Sequence, residues 1–312
     1  MSFNLTALTE YVEENRGDLI RKSFLAPRTM DYVTIQAGIK YKETINIIEG
    51  DIALQAGHCS FDADGGVIFT QEEIEVSELR VNEEYCIPDL NKFYLQKSVN
   101  PGSWNESMGP LEGLFAETKR EAITGVIDEA LWLGDTTLAS GNNSFFDGII
   151  KKIDDSGVAI DGNVDAVTVA TGITPANIID IVDGINQSIH EDELGRQNYI
   201  FMSYANYRMY AKALRDANLF HYTGAENQRG SFIQEVPGSD TLVVAMKNVP
   251  NDRMFSWNDR ENMFVGTDVI GEEDQFDIWY SKDDRVVKFA AMTKLGVGIA
   301  FPDRIVEFTL VP

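Results

Sequence analysis

The chain has 312 residues, 44% of them hydrophobic and 24% charged, and its 26 lysines and arginines against 50 aspartates and glutamates give a net charge of −24. This composition is typical of a folded protein, and the acidic surplus argues against sequence-specific nucleic-acid binding because it repels phosphates. Two cysteines indicate no disulfide framework, and we find neither a signal peptide nor a membrane-spanning run, so we expect a soluble, cytoplasmic protein of two lobes.

The first hundred residues combine a helical arm with a long β-rich stretch. Apolar residues from Leu5 to Phe24 follow mostly helical spacing and stop before Pro27. From residue 34 to about 95 the apolar residues alternate in short runs, with a glycine-rich turn at 62–66. This alternation predicts a two-stranded excursion with that turn near its tip. Such a ribbon buries little apolar surface alone, so it implies a partner.

The strongest helical pattern begins at Pro110, which suits a first helical turn, and we expect Gly134 to end it. About 24 residues at 1.5 Å each predict a rod of roughly 36 Å, long enough to support a lobe. After a polar loop, residues 145–153 are predicted to form a strand.

A second lobe is predicted to begin near Val164. Its first helix starts at Thr174, and Ser203 caps another helix that runs to about Asp216. A loop rich in Gly, Asn and Gln covers residues 223–230. The predicted strands cover residues 199–202, 241–246, 263–266, 276–280, 286–299 and 305–311.

One group of residues is a candidate for binding zinc. His58 and Cys59, together with Cys86, could form a partial site on neighbouring strands. Structural zinc takes four ligands, so we interpret the group as two half-buried thiols and a surface imidazole.

A second cluster, at the turn, bears on calcium. Asp62 and Asp64 precede two glycines, but an EF-hand needs glycine at its sixth position, where Val67 stands. A plain turn explains Gly65 and Gly66 better, although a weak carboxylate cation site stays open.

No constellation of catalytic residues emerges. The adjacent acids are interpreted as solvated faces, since acid–base pairs need burial to separate their pKa values. Nucleophile-elbow, phosphate-loop and dinucleotide-binding motifs are absent from the sequence, and the four tryptophans lie apart along the chain, so they do not suggest a base-stacking platform. We predict no catalytic, cofactor-binding or metal-binding residue, and no enzyme. The adjacent acid pairs are Glu72-Glu73, Asp154-Asp155, Glu272-Glu273 and Asp283-Asp284.

The order of predicted elements resembles the HK97-like fold of tailed-phage major capsid proteins. The helix-end glycine Gly134, followed by the aromatic-x-Gly-aliphatic turn at residues 146–149, is similar to a feature of that family. Three shorter stretches also look like family features, and together the matches span most of the chain. Those stretches are residues 201–203, 265–268 and 294–303.

This resemblance implies an α+β, HK97-like capsid fold in five parts. Residues 1–33 would be an N-terminal arm, 34–100 an extended β loop, and 101–163 a peripheral domain with a long spine helix. Residues 164–285 would be an axial αβ domain, and 286–312 terminal strands returning to the peripheral domain.

The same resemblance implies a major capsid protein that self-assembles into hexamers and pentamers of an icosahedral head enclosing double-stranded DNA. Its partners would be copies of itself, a portal and, as further candidates, decoration proteins. Because no long coiled coil precedes the arm, scaffolding would be done by a separate protein or by a segment already removed, and the opening Met1 favours the separate protein. Assembly would occur in the bacterial host cytoplasm, with the virion capsid as destination. Two alternatives stay open: an encapsulin-type compartment that encloses cargo enzymes, and a carboxylate-dependent hydrolase.

Overall fold

A computed structural model describes residues 27–51, 66–86, 109–217, 232–258, 262–268, 276–281, 283–284 and 286–312. These residues form α-helices α1 (Gly109–Leu133), α2 (Ile149–Ser156), α3 (Ile178–Ser188) and α4 (Tyr204–Asp216), with a 3-10 turn at Arg28–Tyr32. Their strands are β1 (Thr34–Ala37), β2 (Lys42–Asp51), β3 (Gly66–Glu75), β4 (Ser77–Cys86), β5 (Ile160–Asp161), β6 (Asn198–Ser203), β7 (Ile233–Glu235), β8 (Leu242–Met246), β9 (Arg253–Asn258), β10 (Met263–Thr267), β11 (Phe276–Ser281), β12 (Val286–Ile299) and β13 (Val306–Thr309).

The strands belong to three sheets. In the five-stranded sheet, β12 is central: β4 pairs with one of its edges through ten residue pairs, and β10 and β11 pair with the other. The parallel strand β1 extends this sheet beyond β10. The six-stranded sheet has the order β5-β13-β9-β6-β8-β7, and β2 with β3 forms a separate antiparallel hairpin.

The predicted long helix is confirmed as α1, which begins one residue before Pro110 and spans 25 residues. Its apolar positions Ile123, Ile127 and Leu131 are buried in the main core. Spacing of three and four residues places them on one side of the helix, as the sequence predicted.

Replacing Ile123 by aspartate should abolish soluble folding of the subunit. The side chain is 6% exposed in the main core, and an unpaired buried carboxylate costs several kcal/mol. The exposed Glu121 in the same helix offers a matched control, because Glu121→Lys should change the unfolding free energy by less than about 0.5 kcal/mol. Soluble expression and circular dichroism measure both variants, and a soluble, helical Ile123→Asp protein contradicts the prediction.

An aromatic cluster joins the long helix to the six-stranded sheet. Trp132 of α1 is fully buried, with its ring 5.8 Å from that of Trp257 and 6.0 Å from that of Phe201. Trp257 and Phe201 stack at 4.0 Å, and Tyr32 meets Phe201 edge-on at 5.4 Å. Offset and edge-to-face contacts add to the free energy gained from apolar burial, so this cluster holds α1 and the 3-10 turn against the six-stranded sheet.

Hydrogen bonds fix the 3-10 turn against α1. The Trp132 indole donates to Thr29 Oγ1 at 2.8 Å, and the Thr29 hydroxyl donates to Asp128 at 2.6 Å. Asn248, which follows β8, donates to the other oxygen of Asp128 at 2.8 Å. Each of these polar groups is therefore satisfied inside the packed region.

Local predictions hold in the region of α3, β6 and α4. Ser203 caps α4 by accepting from the Asn206 backbone N–H at 3.2 Å, as predicted. The helix α3 begins at Ile178 rather than at Thr174, because a hydrogen-bonded turn between Thr174 and Asn177 precedes it. The predicted loop at 223–230 lies outside the described residues.

The predicted strand at residues 145–153 is wrong, because residues from Ile149 onward form the helix α2. Its buried positions Ile149, Ile150 and Ile153 share one helical side. A short run of β-branched apolar residues suits either a strand or a buried helix, and packing on the core selects the helix here.

Within the described residues, the excursion differs from the prediction. Only β2 and β3 form the two-stranded ribbon there, whereas β1 pairs with β10 and β4 pairs with β12 in the five-stranded sheet. Alternation of apolar residues indicates a strand but carries no information about its partner.

Strand pairing also divides residues 286–312. The strand β12 lies in the five-stranded sheet, but β13 pairs with β9 and β5 in the six-stranded sheet. Conversely, β10 and β11, which were expected with the second lobe, pair with β12. The terminal strands therefore do not return together to one sheet.

Candidate assembly surface

The described parts of the chain show no group of three or more His, Cys, Asp or Glu side chains placed to hold a metal. Cys86 ends β4, while His58, Cys59, Asp62, Asp64 and Gly65 lie outside the described residues, as do Glu272 and Glu273. Most of the sequence candidates for zinc and calcium therefore lie outside the described residues.

Most adjacent acids in the described structure are engaged in ion pairs. Asp154 pairs with Arg253, Asp155 pairs with Lys151, and Asp284 pairs with Lys288. Burial lowers the pKa of Arg253, but the hydrogen bonds to Asp154 and Glu307 outweigh it and raise that pKa above its ordinary value. These acids serve as counter-ions for basic side chains, which is a structural role.

One carboxyl group has an environment that a hydrolase could exploit. Burial, followed by the charge of Asp180, raises the pKa of Asp183 on α3. The cavity that Asp180 lines has a volume of only about 10 Å³, which holds at most one water molecule. This cavity is therefore too small for a substrate, and Asp183 does not line it.

The hairpin of β2 and β3 is the most exposed apolar feature of the described chain. Phe69 on β3 is 71% exposed, and Tyr41, just before β2, is 67% exposed. Across the hairpin, Gln71 donates to Asn46 at 2.8 Å, and Lys42 forms an ion pair with Glu73 whose hydrogen bond raises the Lys42 pKa. Exposed polar contacts of this kind stabilise a ribbon only weakly. The exposed aromatic side chains are available for contact with another surface.

The base of the hairpin, in contrast, is packed. Ile39, Ile74 and Val76 form a small buried cluster, with Ile45 of β2 and Phe264 of β10 against it. Ile74 is 0% exposed. The hairpin is therefore anchored at one end, while the Phe69 ring further along β3 faces solvent.

A groove runs between β4 and α1, with a volume of about 350 Å³. Exposed Val126 and Phe145 lie on it beside the half-buried Leu79 and Val81. Lys119 lies on the same groove and forms an ion pair with Glu83 of β4. The residues of this groove were not singled out from the sequence, because their apolar positions read equally well as ordinary core.

Helices α1 to α4 include none that is both long and apolar enough to cross a membrane. No protein-family model and no curated protein matches the chain. Solved structures do match. A satellite phage P4 procapsid that includes the size determination (Sid) protein is similar over 97% of this chain and 99% of its own, with a TM-score of 0.57 at 10% identity.

Two further solved structures are similar to the same extent. The capsid of an empty GTA particle matches 93% of this chain and 90% of its own, with a TM-score of 0.54 at 12% identity. A virus-like particle from Pyrococcus furiosus matches 96% of this chain and 99% of its own, with a TM-score of 0.52 at 12% identity. The chain has the mixed α+β fold of phage capsid proteins.

Proposed function

We propose that the protein is the major capsid protein of a tailed bacteriophage, which self-assembles into hexamers and pentamers of an icosahedral head around double-stranded DNA. The observation that carries this proposal is a capsid fold matched over nearly the whole chain and combined with a hairpin on which the large ring of Phe69 is exposed. A monomer gains nothing from exposing Phe69, whereas burial of such a ring against a neighbour contributes about 1.5–3 kcal/mol.

In this proposal the parts of the chain have distinct roles. Residues 1–33 serve as an arm and 34–100 as an extended loop, and the hairpin of β2 and β3 in that loop lies against a neighbouring subunit. Residues 101–163 form the peripheral domain, 164–285 the axial domain, and 286–312 supply the terminal strands. The strand pairing described above refines this division, because β10, β11 and β12 belong to one sheet.

The proposal assigns no catalytic, cofactor-binding or metal-binding role to any residue. A net charge of −24 suits an inner wall along which DNA moves without sticking. A scaffolding protein, a portal and decoration proteins are the further partners, and assembly takes place in the host cytoplasm. DNA is enclosed without sequence-specific contacts.

Negative-stain electron microscopy and light scattering of the purified chain, alone and with a neighbouring scaffold candidate, test the proposal. We expect closed shells, tubes or capsomer rings. Nucleic acid inside shells produced in infected cells supports a phage head, whereas a packaged enzyme supports the encapsulin-type alternative. A persistent monomer under all these conditions contradicts the shell function.

Replacing Phe69 by serine should weaken assembly and leave the fold intact. The exposed ring contributes little to the monomer, and loss of about 1.5–3 kcal/mol of burial at each contact raises the concentration needed for assembly at least about tenfold. Phe69→Leu retains most of the apolar area and serves as the matched control. Light scattering against concentration measures assembly and circular dichroism measures folding; equal assembly of Phe69→Ser and Phe69→Leu contradicts the prediction.

A further inference from the structure

Three glycines of the five-stranded sheet lie directly under the base of the hairpin. Gly266 of β10 is paired with Gly296 of β12, and Gly298 follows two residues later on the same side of β12. We call this surface, made of Gly266, Gly296 and Gly298, the glycine seat. It is a patch of sheet without side chains.

The hairpin base fills the space that these side chains would occupy. A Cβ on Gly298 would lie 2.6 Å from Ile74 Cγ1, and one on Gly266 would lie 2.7 Å from Ile74 Cγ2 and 2.9 Å from Ile39 Cδ1. A Cβ on Gly296 would lie 1.9 Å from the Glu75 carbonyl oxygen. The chain between β3 and β4 therefore rests on the bare backbone of β12.

Glycine is needed at these three positions because a side chain has no room there, and not because of the backbone conformation. Positive φ angles occur at five other glycines of the described chain, but the three glycines of the seat have none. An alanine could adopt the same backbone at these positions, so its only direct effect would be to push the hairpin base away.

We propose that the glycine seat sets the angle at which the hairpin leaves the subunit, and that this angle controls assembly. The assembly part rests on the proposed function, whereas the angle itself does not. Ten residues of β2 extend about 33 Å. If Ile74 rises by about 1 Å while Val76, two residues further along the chain, stays in place, the hairpin tilts by roughly 9°. This tilt moves the far end of the hairpin by about 5 Å. Contacts between closely packed surfaces do not tolerate such a displacement.

Spin labels on the unassembled subunit test the angle. The labels are attached at Phe69→Cys on the hairpin and Val158→Cys on the body, two positions that are 71% and 54% exposed. Cys59 and Cys86 are replaced by serine. We expect one narrow distance distribution for the unsubstituted seat, and a shift of several ångströms or a clear broadening in Gly298→Ala.

The design includes a compensating substitution. Ile74→Ala removes Cγ1 and Cδ1, the two Ile74 atoms nearest to a methyl group on Gly298. The double variant should therefore lie closer to the parent distribution than either single variant. Gly296→Ala meets backbone rather than a side chain, so Ile74→Ala should not restore it. If Gly298→Ala does not fold, the distance distributions of Ile74→Ala and of the double variant are compared instead, since neither variant contains the clash. Unchanged distributions in all folded variants overturn the proposal.

Particle formation by the unlabelled variants tests the consequence for assembly. We expect at least tenfold fewer closed particles from Gly298→Ala than from the parent chain, with partial recovery in the double variant. Normal particles from a variant whose hairpin distance has shifted overturn the link between angle and assembly. Absence of particles from the parent chain contradicts the proposed function, and the distances still decide whether the seat sets the angle.

Discussion

Replacing Gly148 by alanine should lower the free energy of unfolding by about 3 kcal/mol, because overpacking against rigid backbone costs up to that much or more. A Cβ on Gly148 would lie 2.7 Å from the Gly134 nitrogen and 2.8 Å from the Leu131 oxygen. The Gly148 N–H also donates to the Gly134 carbonyl at 2.9 Å. The end of α1 and the start of α2 thus approach each other through two glycines, and no flexible side chain can move aside.

Gly125→Ala is the matched control, since Gly125 lies within α1 and a Cβ there meets nothing within 4 Å. Alanine in a helix interior should raise the unfolding free energy by about 0.5–1 kcal/mol relative to glycine. Urea unfolding followed by circular dichroism measures both variants. Equal stability of Gly148→Ala and the parent chain would show that the two segments can separate without cost.

Replacing Arg304 by leucine should lower the free energy of unfolding by about 3–5 kcal/mol, because it leaves a buried carboxylate without its main counter-ion. Glu193 is 2% exposed and accepts from Arg304 Nη1 at 2.9 Å and from Asn258 at 2.5 Å. Arg196 approaches the same carboxylate only to 4.0 Å. These contacts connect the 3-10 turn at Glu191–Glu193 to β9 and to the segment before β13.

Two further variants show whether the loss of stability is specific to Arg304 or follows from replacing any arginine. Arg80→Leu breaks an ion pair with Glu78 whose side chains are both exposed, so it should cost less than about 1 kcal/mol. Adding Glu193→Gln to Arg304→Leu removes the uncompensated charge and should recover part of the stability. Thermal unfolding of all variants at one pH provides the comparison, and an additive double variant contradicts the assigned pairing.

The family-like motif around the end of α1 gains a physical explanation from the structure. The sequence predicted that Gly134 ends α1, and α1 does end at the preceding Leu133, but Gly134 does not have the positive φ by which a glycine often ends a helix. Glycine is needed at this position because a side chain has no room, since a Cβ there would lie 2.5 Å from the Phe146 carbonyl oxygen. A sequence shows that a glycine is present, whereas only packing reveals which of its two properties is used.

Several elements were determined by the sequence alone because their signals are local. Apolar spacing and Pro110 predicted α1, Ser203 predicted the start of α4, and the long apolar run from Val286 to Ile299 predicted β12 within its observed bounds. Each of these signals depends on neighbours within one or two turns of a helix or along one strand.

Tertiary structure decided what depends on distant partners. It made residues 149–156 a helix, moved β4 from the predicted excursion into the sheet of β12, and placed β13 in the other sheet. It also brought Glu193 to Arg304 and placed the hairpin base on the glycine seat. Hydrophobic alternation, charge and small size can be read from a residue and its neighbours in the sequence. Strand pairing and close approach arise only when distant segments of the chain pack together.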